Sequence, residues 1–74
     1  MNRIESINDW LDWAASQGIK KTAALALAMD ILGYARSIVW QWARGEKNPN
    51  TAALHLLHIY AHPGDYYWMQ QKEK

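Results

Sequence analysis

Apolar residues recur along much of this chain at spacings of three and four, which is typical of helices that bury one face. The first such segment carries four of them on one face: Ile7, Trp10, Leu11 and Ala14. Ser6 stands before this face and Asp9 follows three residues later, which forms a variant capping box with Asp in place of Glu. Gly18 marks the end of the segment. The pattern predicts a first helix of about three turns, with Trp13 packed at the edge of its apolar face.

Two further segments predict helices. Residues 23–32 are rich in alanine and leucine, which favour helix, and Thr22 is the expected N-cap. Asn50 is placed to cap a later helix, which the sequence His62-Pro63-Gly64 ends. In that later helix we expect Leu54, Leu57 and Ala61 to face the core. Leu56, Ile59 and Tyr60 are expected to broaden its apolar surface.

A short helix is predicted between these two, in the breaker-free stretch from Gly33 to Gly45. Val39 and Trp42 are three residues apart and therefore share one helical face. No strand-like alternation and no internal repeat occurs in the sequence. The predicted fold class is therefore all-α, a small bundle of four to five helices. Asp65 is expected to cap the last short helical turn.

That last turn would carry four large side chains: Tyr66, Tyr67, Trp68 and Met69. Two interpretations are open for this segment. It closes the core over the first helix, where Trp10 and Trp13 offer aromatic partners. Alternatively it forms a dimerisation surface, because Tyr, Trp and Met are enriched in the cores of interfaces.

Composition limits the class of protein. A chain of 74 residues predicts a single domain over residues 1–74, with little capacity for a deep cleft. Half of the residues are apolar and none is cysteine, so packing, supplemented by dimerisation, must supply the stability. Neither a membrane span nor a signal peptide is visible. We therefore expect a cytoplasmic protein.

The charge is unevenly distributed although its total is only +1. Residues 1–19 carry −2, residues 20–47 carry +3, and residues 48–74 are neutral. The basic charge lies in the segment where a phosphate-binding surface is expected. A chance distribution of surface charges could give the same number of basic residues there. Lys20, Lys21 and Thr22 precede the predicted second helix, whose N–H groups and dipole favour a phosphate.

The sequence gives little indication of catalysis or of metal binding. Paired carboxylates, an activated serine and a glycine-rich phosphate loop are all missing from the sequence, so we expect no enzyme and no cofactor. His55, His58 and His62 lie at i, i+3 and i+7, on one side of the last long helix. Such spacing can chelate a metal. Without cysteine, and with only Asp65 nearby, a polar helix flank is favoured and no metal is predicted.

One motif connects these elements. Leu32-Gly33 is followed by Arg36-Ser37-x-Val39-x-x-Trp42-x-Arg44-Gly45-x-x-x-Pro49. This arrangement resembles the helix-turn-helix regulators of the Cro/C1 (Xre) type, over roughly residues 22 to 63. The resemblance implies a lambda-repressor-like DNA-binding domain in which Gly33 forms the turn. Val39 and Trp42 would be the buried anchors of the recognition helix.

The resemblance also implies the residues that would contact DNA. The positions that usually face base edges are Arg36, Ser37 and Gln41, with Trp40 beside them. Arg can bond bidentately to guanine and Gln to adenine. The positions that usually contact the DNA backbone are Lys21 and Thr22 in the preceding helix, Ala35 and Ser37 near the start of the recognition helix, and Arg44, Lys47 and Asn48 after its end. Ala35 replaces the usual Ser or Thr cap, so Ser37 or water is expected to bond the first N–H groups.

The two tryptophans of this helix are two residues apart and therefore point to different faces. Trp42 is expected in the core, whereas Trp40 is expected to turn outward beside Arg36 and Gln41. A large apolar side chain exposed on the surface indicates that a ligand or another chain binds over it. We expect Trp40 to touch a DNA sugar, a thymine methyl group or a partner chain.

The expected function is a sequence-specific regulator that binds double-stranded DNA. One short helix makes few contacts, so we expect a homodimer that binds an inverted-repeat operator. It would be a repressor of the kind found in phage or mobile elements. The alternative is a protein-binding helical module. An antitoxin would combine both, by covering a partner toxin as well as its own operator.

Overall fold

Four helices and a short turn make up the part of the chain that the structure describes. The computed structural model describes residues 3–65, with α1 at Ile7–Ser16, α2 at Lys21–Leu32, α3 at Arg36–Ala43 and α4 at Thr51–Ala61. A 3-10 turn at Pro63–Asp65 follows α4. Residues 3–65 contain helices and connecting segments but no strand, so the predicted all-α bundle is confirmed. Tyr66, Tyr67, Trp68 and Met69 lie outside the described residues, and both interpretations of that segment stay predictions.

The start of α1 follows the predicted capping box with one change. The Ser6 hydroxyl accepts a hydrogen bond from the Asp9 N–H at 3.1 Å, as an N-cap residue should. The Asp9 carboxylate accepts from the N–H of Glu5 at 3.0 Å, one residue before the cap. At the other end Gly18 adopts a φ of +78°, and the N–H of Ile19 bonds back to the carbonyl of Ala14. Both ends of α1 are therefore closed by local bonds.

The core forms where all four helices meet. Its largest fully buried side chains are Trp10, Val39 and Leu57, one each from α1, α3 and α4. The indole N–H of Trp10 donates to the carbonyl of Ala24 at 2.9 Å, which satisfies the buried donor and joins α1 to α2. Helix α2 packs against each of the other three helices. Its buried alanines at positions 24 and 28 leave room for that close approach.

The predicted start of α2 was wrong. Thr22 is not the N-cap, because the helix begins at Lys21 and the cap position is Lys20, with extended backbone. The carbonyl of Lys20 accepts the first helical bond, from the N–H of Ala24 at 2.8 Å. The turn at Gly18 lets the chain enter the next helix early, and lysine is a better helix former than threonine. Thr22 and Lys21 accordingly lie within the first turn.

Helix α4 begins as expected, since the Asn50 side chain accepts from the N–H of Ala53 at 2.8 Å, and it ends at Ala61 before His62. Leu54 and Ala61 are partly buried and pack against the core, as predicted for its inner face. Leu57 is fully buried, whereas Leu56 and Tyr60 are about half exposed and extend an outer apolar face. The position next to Leu57 in the core belongs to His58.

His58 corrects the interpretation of the three histidines as a polar flank. Its side chain is buried, and its Nδ1 accepts the N–H of Ile4 at 3.1 Å. Because Nδ1 is the acceptor in this bond, a ring proton can be carried only by Nε2. The His62 ring lies 5.0 Å from it, and His55 is exposed. This bond holds the segment before α1 against α4, where Ile4 is itself buried.

Aromatic rings close the side of the bundle between α1 and α4. Trp10 and Trp13 stack with centroids 5.0 Å apart, and Tyr60 meets both rings edge-on. Trp13 is half-buried, which confirms its predicted place at the edge of the α1 face. Within residues 3–65, none of the helices has both the length and the apolar character needed to cross a membrane.

Candidate nucleic-acid interface

A tight turn between α2 and α3 sets the position of the candidate recognition helix. Gly33 has a φ of +74°, and its N–H bonds to the carbonyl of Met29 at 2.7 Å. That left-handed conformation favours glycine because it lacks a Cβ. The Tyr34 ring meets Trp42 edge-on at 5.5 Å, and its hydroxyl accepts from the Asn50 side chain at 3.2 Å. The turn is thus tied both to α3 and to the start of α4.

The inner face of α3 is anchored as predicted. Val39 is fully buried and Trp42 is nearly so, and both belong to the central core cluster. Helix α3 has only eight residues, so it measures about 12 Å along its axis. Because the anchors fix one side of this short helix, the side chains on its remaining surface are presented in a defined orientation.

That remaining surface carries the side chains expected to meet base edges. Arg36 and Ser37 are exposed, and Gln41 is half-buried. Trp40 differs from the expectation that it turns fully outward, because it is half-buried and packs against the core cluster. The guanidinium carbon of Arg36 lies 4.7 Å from the centroid of the Trp40 ring. The exposed large apolar residue of α3 is Ile38, which the sequence analysis did not single out.

The helix N-termini fall into two groups. Side chains cap α1 and α4, through Ser6 and Asn50. Among residues 3–65, no side chain caps α2 or α3, whose N-cap positions are Lys20 and Ala35. The expected bond from Ser37 to the first N–H groups of α3 is therefore not made. The first N–H groups of both helices of the turn remain available to water or to an anion.

The side chains expected to contact the DNA backbone lie at both ends of the pair formed by α2 and α3. Lys20, Lys21 and Thr22 are exposed at the start of α2, about 18 Å along its axis from the Gly33 turn. Lys47 and Asn48 are exposed beyond the end of α3. The described structure thus leaves each of these side chains accessible to a ligand.

Arg44 is engaged within the chain. Its Nε lies 2.6 Å from Oε2 of Glu46 in an exposed ion pair, which the sequence analysis did not anticipate. This hydrogen bond, with the opposite charge, holds the pKa of Glu46 below its ordinary value and raises the pKa of Arg44. Because Gly45, with φ of +77°, turns the chain sharply after α3, residues 44 and 46 come within reach of each other.

The cavities and the histidines lie apart from this surface. One cavity of about 300 Å³ is lined by residues 3–5 and by α4 from Thr51 to His58. Another, of about 510 Å³, is lined by residue 4, by α1 with Gln17, and by the end of α4. In the described part of the chain, no three His, Asp or Glu side chains come together in a way that could hold a metal ion.

Comparison with known proteins yields no match: neither a family model, nor a curated protein, nor a solved structure is similar to this chain at a significant level.

Proposed function

We propose that this protein is a sequence-specific DNA-binding transcriptional regulator, and that α3 is its recognition helix. The observation that carries the proposal is the arrangement of α2, the Gly33 turn and α3. Val39 and Trp42 anchor the short helix from inside, while Arg36 and Ser37 stand exposed on its outer surface. The major groove of B-DNA is about 12 Å wide and admits a helix of this kind.

Charge and helix ends support the same assignment. Residues 20–47 carry a net charge of +3, whereas the other two segments are negative or neutral. Lys20 and Lys21 stand at an uncapped helix N-terminus, where a phosphate would gain both N–H donors and a favourable dipole. The resemblance to Cro/C1-type regulators gives Lys21 and Thr22 this role.

In this proposal two copies bind an inverted repeat as a homodimeric repressor, in the cytoplasm and without cofactor or catalysis. A single eight-residue helix makes few base contacts, so a second copy is needed for useful affinity. The half-sites would then lie one helical turn of DNA apart, about 34 Å.

The test is selection of bound duplexes from a random DNA pool. We expect a two-fold symmetric consensus, and affinity that falls steeply as the salt concentration rises. Arg36→Ala and Gln41→Ala should each relax one position of the half-site and cost about 1–3 kcal/mol of discrimination there. Gln17→Ala, at the exposed end of α1, is the matched control and should leave the consensus unchanged.

A protein-binding module, such as an antitoxin, is the second candidate function. It is favoured by the outer face of α4, where Leu56 and Tyr60 are one helical turn apart and about half exposed. A partner protein would cover this apolar face. If the chain selects no DNA beyond the level of a neutral control protein, the regulator proposal is wrong and this alternative takes its place.

A further inference from the structure

Arg36 and Trp40 form a cation–π pair on the surface of α3. They are four residues apart and therefore lie on successive turns of one face. The guanidinium carbon of Arg36 is 4.7 Å from the centroid of the indole, within the range of a cation–π contact. Trp40 is half-buried and packed against the core cluster, whereas Arg36 is exposed. The partly buried indole thus lies beside a more exposed cation.

The geometry of a guanidinium decides what such a stack leaves available. Its N–H donors lie in the plane of the group and point outward from its edge. An aromatic ring covers a face of that plane and leaves the edge free. Bidentate bonding to guanine O6 and N7 uses the edge alone. Stacking on Trp40 and reading of a guanine are therefore compatible at the same time.

The stack also restricts a side chain that would otherwise sample many rotamers. An unrestricted arginine loses that freedom when it binds, which lowers its net contribution. A guanidinium already held against a ring loses less. The expected benefit falls on one base position, because one side chain is preorganised.

We propose that Trp40 is a positioning residue that holds the Arg36 guanidinium for recognition of a guanine at one position of each half-site. This inference rests on the proposed DNA-binding function. It replaces the expectation that the indole itself contacts DNA or a partner chain, because Trp40 contacts both the core cluster and Arg36.

The first measurement uses the free protein. Protons of the Arg36 side chain that lie over the indole should be shifted upfield in the NMR spectrum by the ring current. The shift should persist in Trp40→Phe, which keeps an aromatic face, and should vanish in Trp40→Leu. If wild-type Arg36 shows no such shift, the stack is absent in solution and the inference is overturned, whatever the protein binds.

The second measurement is a double-mutant cycle on the selected DNA site. Trp40→Leu should weaken the guanine preference at the Arg36 position about two- to fivefold, the strength of an exposed cation–π contact. Other positions and the salt dependence should stay unchanged, and Trp40→Phe should restore much of the preference. In an Arg36→Ala background, Trp40→Leu should have no further effect on base preference, because Trp40 acts through the arginine.

The outcomes separate this inference from the function on which it rests. A selected consensus whose guanine preference survives Trp40→Leu leaves the regulator standing and overturns the role of Trp40. An equal effect of Trp40→Leu with and without Arg36 does the same. Failure of the wild type to select any consensus overturns both proposals. Because the Trp40→Phe comparison keeps the ring volume largely filled, it remains informative even if Trp40→Leu is too unstable to assay.

Discussion

At the scale of single residues, two neighbouring leucines of α4 face opposite environments. Leu57 is fully buried in the core, whereas Leu56 is 48% exposed. We expect Leu57→Ala to lower the free energy of unfolding by about 2–5 kcal/mol, through lost burial and the cavity left behind. Leu56→Ala is the matched control and should change it by about 0.5 kcal/mol or less. Urea denaturation followed by circular dichroism measures both, and equal losses would contradict the assigned faces.

These leucines and His58 also show what the sequence could not predict at this scale. Periodicity placed Leu57 in the core correctly, but α4 contains no Asp, Glu, Lys or Arg that would have marked Leu56 as exposed. The polar character of His58 suggested an exposed flank. Its hydrogen-bond partner is the N–H of Ile4, 54 positions away, and only the tertiary structure brings the two together. Val39 and Trp42 were predictable, because their three-residue spacing lies in a helix with polar residues elsewhere.

At the scale of elements, the helix ends differ in what stabilises them. Ser6 caps α1 through its bond to the N–H of Asp9, while Ser37 lies inside α3 and caps nothing. Ser6→Ala should therefore lower the free energy of unfolding by about 1 kcal/mol. The matched change Ser37→Ala should leave stability within about 0.5 kcal/mol of the wild type. Thermal unfolding of both variants compares them, and equal destabilisation would rule out the cap as the cause.

The same helix ends mark how far local sequence predicts structure. The predicted starts of α1 and α4 are confirmed, because Ser6 and Asn50 accept hydrogen bonds from N–H groups three residues later in the chain. Thr22 has the same chemistry but does not cap, since the turn after α1 delivers the chain into helix earlier. The contacts that orient the candidate interface, such as Tyr34 on Trp42, depend on side-chain packing and were not visible in the sequence.

At the scale of the whole molecule, charge is concentrated in residues 20–47, where Glu46 offsets part of it through Arg44. Arg44 holds the pKa of Glu46 below its ordinary value of 4.5, so the carboxylate stays ionised at neutral pH. Any stability from this pair is present above that value and is lost as the pH falls through the lowered pKa. At the pH of a DNA-binding assay the pair is therefore intact.

Glu46→Gln should accordingly strengthen binding to all DNA sequences alike. It releases Arg44 for a phosphate, and the slope of log affinity against log salt should steepen by about 1. The control Asp12→Asn makes the same change in net charge on the exposed surface of α1 and should alter the slope much less. A salt titration of binding compares the two. Identical slopes would show that overall charge, rather than the position of Arg44, governs binding.

The bond between Ile4 and His58 affects the order in which contacts form during folding. Neighbouring helices of this chain are joined by short connections, and their contacts close small loops at little entropic cost. The Ile4–His58 bond closes a loop of nearly the whole described chain. It should form late during folding, after α1 and α4 have docked, and be among the first contacts released on unfolding. This bond thus holds the segment before α1 against α4, and that segment can detach while α2 and α3 stay packed together.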